Sequence, residues 1–398
     1  MNLEDVALFV VVVLRLGIPL AIPRFPLPAI LATLVIDGLD QSVFAGLGLT
    51  TDRYQPYDKA LDVYYLAIAY IATLRNWDRG PAFTVGRFLW YYRLVGVALF
   101  EATQQRWLLL VFPNVFEYFF IAIEAFKVAR NPFRMTWRQI AGLAAFIWIV
   151  IKLPQEWWLH VAELDATDFV KQSLFAVSKD TGWTEAIANR PIVAVVIAIA
   201  TVVLLALAWW AWKRFAPPAD WPPTLNADDQ MRGLGWDGPM PIPTGRPRPG
   251  WAFVEKVVLL SLVAAAFGAI LPGEPPLPQV VLGVILIVAI TAVASEWLGR
   301  RSLSWLAVAG EFSALLAANV AAVLLVWMLL PNAGETPVTA VLFQIAVLVT
   351  IVVEFDRGRA IGLARLVARR RAERRDGTEA EGSADRPRPS LDDAVHVR

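Results

Sequence analysis

The sequence predicts an all-α fold: a polytopic transmembrane helix bundle of about eleven spans, with the N-terminus outside and the C-terminus in the cytoplasm. Three observations carry that expectation. Of 398 residues, 57% are hydrophobic and only 18% are charged, where a soluble domain carries about 25% charge. The mean hydropathy is +0.53, and the apolar residues fall in blocks of roughly 18 to 22, enough to cross a ~30 Å hydrocarbon core. Lysine and arginine gather in alternate short loops, as cytoplasmic loops require.

The spans follow in order. The first six are read at 5–22, 26–48, 57–74, 83–101, 107–127 and 138–158, and the remaining five at 191–213, 251–271, 277–297, 303–330 and 336–354. The opening "MNLEDVALFVVVVLRLG" has no positive n-region and no small-residue cleavage site, so it reads as a first span rather than a cleaved signal. "FKVARNPFRMTWRQ" holds Lys127, Arg130, Arg134 and Arg138, Lys213 and Arg214 open another basic loop, and "LGRRSLSW" supplies Arg300 and Arg301. These loops face the cytoplasm, whereas "PGEPPLPQ" and "PNAGETP" carry no lysine or arginine and face outward. The expected home is the plasma (inner) membrane of the cell, crossed many times.

Composition divides the chain further. Residues 1–158 form a polar and aromatic six-helix bundle, and 159–190 an outer-face interfacial segment containing His160. Residues 191–214 form one more span. Residues 215–250 are rich in Pro and Gly and read as an extended cytoplasmic linker. Residues 251–356 form an apolar four-helix unit, and 357–398 a tail that is basic and then disordered. The arginines of the tail are expected to meet anionic lipid headgroups as well as to anchor the topology.

Charges inside the first six spans are the candidate site. Asp37 and Asp40 lie three apart in "LVIDGLDQS", on one helical face. Counting depth along each span gives two layers. Asp37, Arg93 and Glu117 fall near the middle; Asp40, Asp62 and Lys152 fall nearer the outer face. A charge at the bilayer centre costs about 2.5–3.5 kcal/mol on insertion scales, so all six should turn inward and pair. With two acids for each base, one carboxylate per layer is left to bind a proton or a small cation. Asp58 and Glu101 read as solvated span ends, and Glu124, Arg87 and Lys127 as groups that snorkel to the interface.

Several chemistries are set aside. The chain has no cysteine and two histidines, which removes thiol chemistry and a bis-histidine haem. A net charge of +1 gives no footprint for nucleic acid. No P-loop, Gly-x-Ser-x-Gly or His-Glu-x-x-His motif occurs, so neither a cofactor nor a resident metal is expected. Three functions fit the rest. A proton- or cation-coupled secondary transporter would use the layered charges and the prolines at 113 and 154. A non-catalytic scaffold or sensor would use them to specify packing and would dock partners through the tail. A metal-dependent lipid-modifying enzyme would gather Asp40 and Asp62 around a divalent ion, with Lys152 meeting a phosphate. The first and second weigh equally, and both are favoured over the third. No feature of the sequence sets the oligomeric state.

Overall fold

The computed structural model describes residues 3–46, 55–160, 169–178, 181–215, 219–233, 250–266, 277–298, 305–329 and 338–384. They are 86% helical and form no strand. In chain order the helices are α1 (Leu3–Gly17), α2 (Pro26–Gly46), α3 (Gln55–Asn76), α4 (Pro81–Thr103), α5 (Trp107–Val111), α6 (Val115–Lys127), α7 (Trp137–Phe146) and α8 (Leu153–His160). After these come α9 (Trp183–Asn189), α10 (Pro191–Phe215), α11 (Ala227–Gly233), α12 (Trp251–Ala266), α13 (Leu277–Leu298), α14 (Trp305–Leu329) and α15 (Val338–Ala384).

Among the described residues, four helical stretches are long and apolar enough to cross a membrane: Trp107–Lys127, Trp137–Trp158, Pro191–Ala211 and Val308–Leu325. Phe9–Ala21, Pro26–Gly38 and Ile285–Trp297 are apolar but shorter. α3 and α4 have the length, at 22 and 23 residues, but tyrosine and charge dilute them.

α3 explains the architecture. Its stretch "ALDVYYLAIAYIATL" is apolar around nearly its whole circumference, the pattern of a helix enclosed by others. Residues Ala67 through Ala72 are fully buried. α1, α2, α4, α12 and α15 surround it, and the contact with α15 is the most extensive. That contact is close because α15 presents Gly358 and Gly362, four apart. A Cβ at Gly362 would fall 2.1 Å from the Leu74 carbonyl oxygen, and one at Gly358 would fall 2.9 Å from Ile71 Cγ2. Small residues at this spacing let two backbones approach. The two compositional halves of the chain therefore share one core, with α12 packed on α4 as well.

Two expectations change here. Residues 219–233 are not an extended linker; they dock on the loop after α6. The Asp220 and Thr224 amides donate to Ala129 O and Val128 O, and the Ala227 amide to Arg24 O. An isolated bridge joins Arg130 to Ala219, and the buried Trp221 donates from Nε1 to Lys127 O. The linker reading failed because a few well-placed partners suffice to hold a Pro-rich strip against a preformed surface. The basic tail does not begin at 357 as a separate element either. α15 runs on to Ala384, and its first basic turns are part of the core. Residues 385–398, the last of the expected disordered tail, lie outside the described residues.

Candidate functional site

The stretch read as span five is interrupted at Pro113. Pro113 has no N–H to continue the helix, and the residue before a proline avoids the α region. Phe112 accordingly adopts φ −108°, ψ 62°, and α6 restarts at Val115 after Asn114. The Val115 amide turns back to Pro113 O at 2.8 Å, which takes the helical donor from Val111 O. α4 repairs the break: Tyr92 OH donates to Val111 O at 2.8 Å and Arg93 Nη1 to Phe112 O at 2.9 Å. An unpaired buried carbonyl costs about 1–3 kcal/mol, which makes the part-buried Arg93 bond to Phe112 O the more important of the two; the Val111 bond is exposed. Gly96 on α4 gives Phe112 its room, since a Cβ there would lie 2.1 Å from Phe112 Cβ.

The break places Glu117 in the first turn of the half-helix α6, where the exposed amides favour a carboxylate. Tyr65 OH donates to Glu117 Oε2 at 3.1 Å, and Asn114 Nδ2 donates to the same oxygen. The neighbouring span is also irregular. Ile147–Lys152 widens into a π-helix just before Pro154, whose missing N–H would leave a carbonyl unserved. The Leu153 amide reaches back five residues to Trp148 O. Lys152, buried in this widened turn, holds its Nζ 4.1 Å above the Tyr118 ring.

Arg15 is the residue the sequence reading passed over. Its guanidinium is 1% exposed, and Nη2 pairs with Asp37 and, at 2.6 Å, with Asp62. Asp37 and Asp62 were expected in different layers with different bases; they share this one. Counting along a helix fixes depth within that helix but not the vertical offset between helices, so the layers merge. Arg15 was legible in principle, as a lone cation ten residues into the apolar run "VALFVVVVLRLG".

The groups form one electrostatic cluster. Glu117, Asp62 and Asp37 all act on Tyr65. Arg93 feels Glu156, Asp62 and Glu117, and Lys152 feels Glu117 and Glu156. Arg93 and Glu117 thus interact at a distance and through the break. Among the described side chains four carboxylates (Asp37, Asp62, Glu117, Glu156) face three cations (Arg15, Arg93, Lys152). The Asp37 and Asp62 side chains keep 31% and 44% of their surface accessible, so the acids lie on the open side and Arg15 behind them. The side chain of Asp40 lies outside the described residues, as do those of Asp58 and His160.

Two more charged groupings are buried rather than interfacial. Glu124 and Lys127 do not snorkel: both side chains are 1% exposed, paired at 3.1 Å, and Trp77 Nε1 donates to Glu124 at 2.6 Å. In the second half, which read as almost purely apolar, Lys256 Nζ is buried against Ser295 (3.1 Å), Glu296 (2.9 Å) and Asp356 (2.6 Å). The adjacent Glu255 accepts from Tyr70 OH and pairs with Arg87 and Arg359. "VEKVV" sits close to a span start, which hid both residues among ordinary span-end charges.

Beyond the membrane-length helices, Asp228 of α11 bridges Arg75 at 2.7 Å and Arg365 at 2.6 Å. Arg365 also donates to Asn76 Oδ1 and Arg75 O, while Arg75 and Asn76 both donate to Pro23 O. Burial alone would raise the Asp228 carboxyl, but the two guanidiniums outweigh it and hold it below its ordinary 3.8. Burial and the neighbouring Arg75 push Arg365 down to about 10, still charged at neutral pH. Comparison with protein-family models, curated proteins and solved structures finds no match to this chain.

Proposed function

We propose that the chain is a multi-pass protein of the inner membrane, with about eleven spans and a cytoplasmic C-terminus, that carries a proton or a small cation. The observation that supports this best is Arg15, buried behind two partly open carboxylates that share it and that act on Tyr65 together with Glu117 of the half-helix α6. A shared base makes the site bistable. When a proton or cation binds Asp37, Arg15 stays neutralised by Asp62, and the reverse holds when Asp62 is loaded. Neither state leaves a buried guanidinium unpaired, which would cost several kcal/mol. The break at Phe112–Asn114 supplies the kind of discontinuous helix around which carriers bind ions.

The test uses purified protein in proteoliposomes, with a pH-sensitive dye and radioactive sodium as probes. Asp37→Asn should abolish the ion flux while the protein still inserts and folds. Wild-type flux through that variant would overturn the assignment. A scaffold is the second reading, favoured by the closed Lys256–Glu296–Asp356 network, whose cation makes three contacts and is 1% exposed. It predicts no flux in the wild type and lower folded yield in Lys256→Met.

A further inference from the structure

Thr84, Arg87, Phe88, Tyr91, Tyr92 and Val95 recur at three- and four-residue spacing and so share one face of α4. With Phe112 they line an open groove of about 450 Å³. From Arg87 to Val95 the groove runs about 12 Å along the helix. Its walls are aromatic and aliphatic, and Phe88 is 57% exposed on it. Tyr92 packs on Phe112 at 4.6 Å and on Trp148 at 5.1 Å, so the far end of the groove abuts the helix break.

The near end is cationic. Glu255, 6% exposed, holds Arg87 at 3.3 Å and Arg359 at 3.2 Å. Arg79 lies within electrostatic reach of Arg87, Arg359 and Glu255. Two guanidiniums therefore share one carboxylate with a third nearby, and 40% of the Arg87 side chain remains accessible. An excess of positive charge at one end of an apolar groove matches an amphiphile with an anionic head and a hydrocarbon tail. On the reading that α4 spans the bilayer with Pro81 inward, the guanidiniums stand at cytoplasmic headgroup level, where anionic lipid is attracted.

We propose that this groove binds an anionic phospholipid, its phosphate on Arg87 and Arg79 with Arg359 beside them, and its acyl chain along Phe88, Tyr92, Val95 and Phe112. This rests on the membrane reading but not on ion transport, and it gives Arg359 of the basic stretch a place in a built lipid site. Each guanidinium near the headgroup contributes roughly a fivefold gain in affinity.

The experiment measures the thermal unfolding midpoint of the full chain in detergent against added palmitoyl-oleoyl phosphatidylglycerol, the matching phosphatidylcholine, or inorganic phosphate. Phosphatidylglycerol should raise the midpoint saturably and the other two should not. Arg87→Gln should weaken that response at least fivefold. Val95→Trp, which fills the groove and leaves every charge in place, should abolish it, so the result does not depend on Arg87→Gln folding well. An equal shift with phosphatidylcholine, a shift with phosphate alone, or a full response in Val95→Trp would each overturn the site. Asp37→Asn should respond like the wild type, which separates this proposal from the carrier. Carbonate extraction of membranes tests the spans on their own.

Discussion

Replacing Asp228 by Asn keeps the size of the side chain and removes its charge. Two buried guanidiniums, Arg75 and Arg365, then lose their shared acid. A hydrogen bond to a charged group contributes about 1.5–3 kcal/mol, and loss of a partner from a fully buried pair costs about 3–5 kcal/mol. Asp228 keeps 31% of its side chain accessible, so solvent screens part of this, and about 2 kcal/mol is the appropriate size. That energy should appear locally, because the strip around Asp228 is held by few other bonds. The amides of Asp220, Thr224 and Ala227, bonded to Ala129 O, Val128 O and Arg24 O, report its opening. At 1.4 kcal/mol per factor of ten, they should exchange about 30-fold faster in Asp228→Asn by hydrogen–deuterium exchange mass spectrometry. Amides in the centre of α3 should not change. Exchange of the strip within threefold of wild type would refute the idea that the Asp228 bridge holds it down.

The same bridge sets an acid limit. The native Asp228 carboxyl titrates below the ordinary 3.8, so its contribution is complete above 3.8 and is lost as pH falls through the lower native value; strip exchange, corrected for intrinsic rates, should be flat from pH 7 to about 5 and rise only below about 4. Arg15→Gln removes the cation that Asp37 and Asp62 share and should cut the yield of monodisperse protein in size-exclusion chromatography, while adding Asp62→Asn should restore part of it; no recovery would mean that the two acids do not compete for Arg15. Gly362→Ala sets a Cβ 2.1 Å from the Leu74 carbonyl and should destabilise by about 1–3 kcal/mol in chemical denaturation. Gly142→Ala, in the interior of α7 with open space at its Cβ, should instead stabilise by about 0.5–1 kcal/mol.

How much of this was legible in the sequence depended on whether a signal was local. Helices announced themselves through apolar block length, and the break at Pro113 follows from the missing N–H and the restricted residue before it. The burial of Glu117 and Lys152 needed only the cost of placing charge in an apolar run, whereas Asp37 and Asp62 keep 31% and 44% of their side chains accessible. Who pairs with whom was a different matter. Asp62 and Asp37 come from helices whose relative offset no single-chain count supplies, and Arg15 completes them from a third helix. Lys256 shows the same limit. Its partners Glu296 and Asp356 are 40 and 100 residues away, each looking like an ordinary charge at a span end.

The glycines of "DRGRAIGLAR" carry the most instructive case. As composition, this stretch is the start of a basic tail. As spacing, Gly358 and Gly362 define one face four residues apart, and the arginines at 359 and 365 flank it. Once that face lies against Leu74 and Arg75 of α3, Arg359 is delivered to Glu255 and Arg365 to Asp228. The tail then acts as a strut between the strip at 219–233, the central helix and the cationic end of the α4 groove. A perturbation at any one of these three should be felt at the others through α15. A double substitution tests the link: Gly362→Ala should by itself accelerate exchange of the Asp220, Thr224 and Ala227 amides, and should add little in an Asp228→Asn background. Independent, additive effects would show that α15 anchors the two ends separately.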